Sequence, residues 1–234
     1  MSGLSFPPLF QGLATAGADP FYVACSEART GCDAGLVAYD MAPDRLRAAI
    51  VFAPEVSLED AMIMLPICGI GFQNALGALA PPEVGVHLEW GGGIRVNGGQ
   101  CGTLKAAATP ANPAEEPDWL VIGLEVHLWS DTSDTGLTPD VTSLYDEGCA
   151  EVEAPGLLEA WVRHTLVWIN RWSEDGVKPL HAEWLGLAHG LKDPISSAGA
   201  QGTFLGVDEN FGLLLQHIDG TAIIPISTNL RDVP

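Results

Sequence analysis

From Pro155 onward, Leu158, Trp161, Val162, Thr165, Trp168, Ile169 and Trp172 recur at three- and four-residue steps. That spacing places them on one face of a helix, which Gly176 ends. KPLHAEWLGLAHGL (178–191) offers a second helix. Residues 19–31 predict an earlier one, with Asp19 as N-cap, Pro20 in the first turn and Gly31 at the stop. Residues 61–80 are apolar on nearly every face, and Ser57 followed by Asp60 marks the start of that helix. It is long enough to span a bilayer. However, it carries Pro66, Gln73 and Asn74 and lacks aromatic or basic anchors, so it reads as a buried central helix.

Strand-like patterns fill the rest. GLVAYD (35–40) and LRAAIVFAP (46–54) come first, then GVHLEW (85–90), GIRV (93–96), QCGTLKAA (100–107) and WLVIGLEVHLW (119–129). ATPANPAEEPD (108–118) predicts an exposed hairpin connector. DTSDTGLTPD (131–140) predicts a second loop, and 142–148 a brief helical turn. The tail, 202–227, reads as three short strands with turns at DENFG and IDG. Three such strands bury little alone and predict a small barrel-like unit docked on the main domain. Strands and helices mixed without strict alternation give an α+β fold with an all-β coda.

Composition narrows the partners. The chain has 234 residues, 47% of them apolar, which supports a sizeable core and no disorder. Thirty acidic residues stand against ten basic ones, a net charge of −20. Nucleic-acid binding and docking on an anionic membrane both need clustered Lys and Arg, and neither is expected here. The five cysteines fall at irregular spacings with no C-x-x-C pair, so no disulfide framework or thiolate zinc site is expected. A start without a secretory pattern adds to an expectation of the cytoplasm.

Candidate chemistry is sparse. The six histidines include no i, i+4 pair and no H-E-x-x-H, so no metal site is expected. Cys101 is a candidate nucleophile with His87 or His127 as base, against the reading of a small apolar residue in a sheet. Cys149 lies beside Asp146, Glu147 and Glu151, whose charges raise its pKa. Gly91, Gly92 and Gly93 match neither phosphate-binding glycine pattern, but they permit close backbone approach or a bulged hairpin turn. The first 150 residues hold only Arg29, Arg45, Arg47, Arg95 and Lys105 as fixed positive charge, which is thin for a nucleotide triphosphate.

The order of these elements resembles the biotin/lipoate protein ligase family, and within it the biotin protein ligases. ARTGCDAGLVAYD is similar to the segment in which a helix leads to a G-T-V-V strand. AIVFAPEVSLEDAMIMLPICGIGFQNALGAL resembles the following strand, connector and central helix, including the internal proline. VGVHLEWGGGIRVNGGQCGTLKA lies where the family has V-x-x-K-W-P-N-D-I-x-x-x-x-x-K-L-G-G-I-L. WLVIGLEVHLW resembles the I-G-I-G-I-N-V strand, and TSLYDEG the T-S-L-x-E-x-G that follows. The helix pair ending KPLHAEW is similar to the last helices of the catalytic domain. GTFLGVDENFGLLLQHIDG resembles the SH3-like C-terminal domain. The resemblance implies a ligase-like domain over 1–192 and an SH3-like domain over 193–234.

The departures fall where that family does its chemistry. Aligned on Trp90, the lysine that contacts biotin and the adenylate becomes Glu89, and P-N-D becomes Gly91, Gly92 and Gly93. The second lysine becomes Gln100, and the asparagine falls at His127. The G-R-G-R-x-G-R-x-W loop has no counterpart in AYDMAPDRLRAAIVF, where only Arg45 and Arg47 remain. The expectation is a family member with altered adenylation motifs, binding a small molecule or acyl-like ligand. Its pocket would be formed by Trp90, Gly91, Gly92, Gly93, Arg95, Gln100, Gly102, Lys105 and His127. Lys105 would be the remaining cation for a carboxylate or phosphate. The alternatives are an active, diverged ligase or acyltransferase using ATP, Mg²⁺ and biotin, with Lys105 or Cys101 as its catalytic group, or a non-catalytic partner of biotinyl or lipoyl acceptor domains.

Overall fold

The computed structural model describes residues 3–130, 140–197, 199–218 and 220–233. The expected loop at 131–140 falls almost wholly outside them. Seven described strands form the main sheet: β1 (Gln11–Ala14), β2 (Leu36–Met41), β3 (Arg45–Phe52), β4 (Val86–Leu88), β5 (Gly93–Val96), β6 (Gly99–Thr109) and β7 (Trp119–His127). Their order is β1-β2-β3-β7-β6-β5-β4, with β1 parallel to β2 and every other pair antiparallel. β1 is absent from the hydropathy pattern because QGLA contributes only Leu13 as a part-buried apolar side chain.

The two faces of the sheet are covered unequally. α1 (Pro20–Arg29) crosses one face, and Asp19 caps it by accepting the Phe21 amide at 2.9 Å. Phe21, Ala24, Cys25 and Ala28 pack there on Ala38, Ala49, Val51 and Val121. The opposite face carries α3 (Met64–Leu79), then α4 (Ala154–Asp175) and α5 (Val177–Leu187). The apolar stretch expected to be core is core: Leu65, Ile67, Cys68, Ile70, Phe72 and Leu76 are all buried.

It is not one helix, however. α2 (Leu58–Ala61) ends at Met62, and α3 restarts with Pro66 in its first turn. A proline there has no N–H to continue the preceding turn, and its fixed φ suits a helix start. Ser57 caps α2 as expected by accepting the Asp60 amide. The connector 108–118 supplies carbonyls of Glu115 and Pro113 to the Leu58 and Glu59 amides, so the exposed loop completes that cap. α3 and α4 approach closely, with the Trp161 indole donating to the Cys68 carbonyl at 3.0 Å and that of Trp168 to Asn74 at 2.8 Å.

The C-terminal sheet holds four described strands rather than three, in the order β11-β10-β9-β8 and antiparallel throughout. These are β8 (Pro194–Ser197), β9 (Ala200–Val207), β10 (Leu213–His217) and β11 (Gly220–Ile224). β8 has one part-buried apolar residue, Ile195, which leaves no readable alternation. Phe204, Leu213 and Leu215 of this sheet, with Phe211 of the β9–β10 turn, join the same apolar cluster as Leu88, Trp90 and Trp184. The turn after β4 is tied to the β9–β10 loop by the Trp90 indole, which donates to the Phe211 carbonyl at 2.7 Å, and the segment after α5 is tied to β4 by the His189 amide, which donates to the Leu88 carbonyl at 2.8 Å.

Candidate functional site

Beyond the reach of α1, the face of the main sheet that α1 covers stays open, and strand register decides what lies on it. Asp40 of β2 pairs with Arg47 of β3, Arg47 with Glu125 of β7, Glu125 with Thr103 of β6, and Thr103 with Gly93 of β5. One row across five strands therefore carries acid, base, acid, hydroxyl and glycine. Lys105 stands opposite Gly123 in the adjacent row, where Gly123 leaves space that the Phe21 ring fills.

Charge on this face is paired within the chain. Arg47 contacts Asp40 at 2.7 Å, and Arg45 contacts Asp44 at 2.8 Å and Glu125 at 3.6 Å. Lys105 reaches Glu125 at 3.5 Å, and Arg95 reaches Glu89 at 2.5 Å while also donating to the Gly98 carbonyl at 2.8 Å. The Arg47 hydrogen bond holds the Asp40 carboxyl below the usual range, and Arg45 does the same for Asp44. The cleft among Asp19, Phe21, Arg47, Lys105 and Glu125 is only about 10 Å³.

The hairpin explains its glycines individually. The Gly92 amide bonds back to the Glu89 carbonyl at 3.0 Å, closing a turn with φ of +92° at Gly92. A Cβ there would meet the Leu104 carbonyl oxygen at 2.5 Å, so only glycine fits. At Gly93 the missing side chain is replaced by the Glu89 carboxylate, which lies over it beside the Gln100 amide. Gly91 is the loosest, with only Asn229 near it at 3.9 Å.

The expected pocket residues thus separate into groups. Gly93, Arg95 and Gln100 gather around Glu89, although the Gln100 amide is spent on the Gly102 carbonyl at 2.6 Å. Lys105, farther along β6 from Gln100, faces Glu125 and Arg47 instead. Gly102 packs against the backbone of Glu125 and Val126, and His127 pairs with Arg45 at the strand end. Trp90 is 4% exposed and turned toward the C-terminal sheet.

Cys101 is fully buried, donates to the His127 carbonyl at 3.6 Å, and has its thiol pushed up to about 12 by burial. That contact is to backbone, not to an imidazole, so Cys101 is held as a thiol and lacks the base expected for it. The Cys149 thiol is also raised, first by burial and then by Glu147. Among the described residues no cluster of three or more His, Cys, Asp or Glu could hold a metal ion.

Open volume lies elsewhere. A cavity of about 380 Å³ sits between Glu89, Trp90 and Gly91 of the hairpin on one side and His189, β8 and Phe204 on the other. Of the expected residues only Trp90 and Gly91 line it. Nothing in a single run of sequence joins residue 90 to residue 193, so the C-terminal wall of this cavity is not legible in the sequence. Glu125 and Asp40 were also missed, although a lone acid within WLVIGLEVHLW is a legible break in an apolar strand.

Residues 6–186 match the biotin/lipoate A/B protein ligase family, and residues 194–232 match a domain of unknown function, DUF4444. A biotin–[acetyl-CoA-carboxylase] ligase from Paracoccus denitrificans is 23% identical over 182 residues, 75% of each chain. A biotin protein ligase-like protein of unknown function from Silicibacter sp. TM1040 is 56% identical, with a TM-score of 0.93 over 98% of this chain and 100% of that one. The biotin protein ligase of Aquifex aeolicus shares the fold at 13% identity, with a TM-score of 0.74 over 92% of this chain and 95% of that one.

Proposed function

The chain belongs to the biotin/lipoate A/B protein ligase family, and from that premise we propose that it binds a small molecule without adenylating it. The observation that carries this reading is the paired sheet face. Arg45, Arg47, Arg95 and Lys105 each contact a carboxylate of the same chain, so each is already neutralised where an acyl-adenylate would need it. Glu89, at the position the family gives to a lysine, is the carboxylate that holds Arg95.

The cost is large. A charge-assisted contact contributes roughly 1.5–3 kcal/mol, so the absence of two corresponds to a rate factor of about 10² to 10⁴. Cys101, buried and protonated, offers no route to an acyl-thioester instead. Binding is supported by the cavity of about 380 Å³ beside the hairpin, within the usual size range for small-molecule sites. The family matches at 6–186 and 194–232 favour a division into units 1–192 and 193–234, with the cavity at their junction.

The test is transfer. The protein is incubated with ATP, Mg²⁺ and labelled biotin, lipoate or octanoate, together with a biotinyl or lipoyl acceptor domain. No label on the acceptor above an enzyme-free control is expected. Labelling that depends on ATP and on the protein would reject the reading in favour of an active, diverged ligase.

A further inference from the structure

One wall of the cavity of about 380 Å³ beside the hairpin is made by Pro194, Ile195, Ser196 and Ser197, four consecutive residues. A strand gives only alternate residues to a space on its face, so a consecutive run means that the cavity follows the edge of β8. β8 is the outermost strand of its sheet, paired with β9 on one side. Register decides which of its backbone groups point outward. The Phe204 amide donates to the Asp193 carbonyl and the Lys192 amide to the Phe204 carbonyl, so Phe204 turns its backbone toward this strand. Bonded and non-bonded pairs alternate along an antiparallel ladder, which makes Pro194–Thr203 and Ser196–Gln201 non-bonded pairs. Pro194, having no N–H, fits the first of them. The N–H and C=O of Ser196 and the C=O of Pro194 therefore face the cavity. Both residues are exposed, and neither has a hydrogen-bond partner on that side among the described residues. The opposite wall is the hairpin turn, where Gly91 presents backbone without a side chain.

We propose that this cavity takes a short extended peptide, which adds to the free edge of β8 as a further antiparallel strand. One peptide residue exchanges N–H···O bonds in both directions with Ser196, and the residue two further along donates to the Pro194 carbonyl. Unpaired strand edges bind extended chains in this way, with affinity supplied by main chain. The β8 edge is about 13 Å long at the usual rise of an extended strand, which suits a peptide of about four residues. The inference rests on the reading that the chain binds a small molecule without adenylating it, and it specifies the class of that molecule. The Leu88–Ala188 bridge holds the end of α5 against β4, which brings the segment leading into β8 over the hairpin turn.

The experiment is a titration of the isotope-labelled full chain with N-acetyl-tetraalanine amide, read from the backbone amide resonances. The Ser196 amide should shift saturably. The same peptide methylated on its alanine nitrogens keeps its side chains but loses its strand donors, and should cause no shift. Ser196→Pro removes the outward N–H without touching a bond to β9 and should abolish binding, whereas Ser196→Ala keeps that N–H and should bind like wild type. Binding to the variants is read at the Ser197 and Gly91 amides, and thermal unfolding checks that each variant is folded. No saturable shift at Ser196, equal binding of the methylated peptide, binding that survives Ser196→Pro in a folded protein, or loss of binding in Ser196→Ala would overturn the proposal. A Ser196 shift on raising protein concentration without peptide would assign the edge to a second copy of the chain, and would overturn it as well. The transfer assay reads the adenylation claim separately, so either result can fail without the other.

Discussion

Asp40 and Arg47 show what the open sheet face costs at the level of one pair. The two side chains are 14% and 21% exposed, and Arg47 also holds a buried Nε without a partner. Because the folded carboxyl of Asp40 lies below its unfolded value, the pair contributes stability that is fully present above about pH 4. That stability is lost as pH falls through the depressed folded value. Asp40→Asn should destabilise the protein by about 1 kcal/mol at pH 7. Denaturant melts at pH 7 and pH 3 would show the gap to wild type closing in acid, whereas a pH-independent gap would refute the assignment. The cysteines offer a second reading of local environment. Cys25 and Cys101 are buried with thiols pushed up to about 12, Cys68 is raised further by burial, and Cys149 is buried. Cys32 is half-buried, though also raised, so alkylation of native protein at pH 8 followed by mass mapping should mark Cys32 well before the other four.

The packing of α3 against α4 depends on small residues at particular places. A Cβ on Gly71 would come within 2.6 Å of the Thr165 hydroxyl and 3.0 Å of its backbone nitrogen. Gly77, six residues on and exposed, has only the Gln73 amide at 3.8 Å. Gly71→Ala should therefore cost about 1–3 kcal/mol as the helices separate, and Gly77→Ala should gain about 0.5–1 kcal/mol from helix propensity. Urea midpoints moving in opposite directions check both together. α4 was legible because seven residues repeat on one face, and β6 and β7 because their runs are long. β1 and β8 were not, since each offers a single part-buried apolar side chain and is held by its neighbour's backbone. The interruption at Met62–Ile63 was foreshadowed by Pro66, but the apolar pattern runs straight through it.

Across the whole molecule, the site is a product of register and of chain reversal, which is why so little of it could be read in advance. The hairpin glycines were visible. That Gly92 serves a turn while Gly93 makes room for Glu89 was not, because both depend on what lies across the strands. The pairing of Arg47 with Asp40 and of Lys105 with Glu125 arises from β2, β3, β7 and β6 lying side by side. The cavity joins segments about a hundred residues apart in the chain. Family resemblance located the altered hairpin, and the structure adds that the remaining positive charges there are internally matched.

The most direct test of that account is ATP–pyrophosphate exchange, which reads acyl-adenylate formation without needing an acceptor protein. The protein, Mg²⁺, ATP and labelled pyrophosphate are combined with biotin, lipoate or octanoate in turn. No acid-dependent incorporation of label into ATP is expected. Exchange above background that appears with any one of these acids would show that the protein forms an adenylate, and would contradict the proposed function.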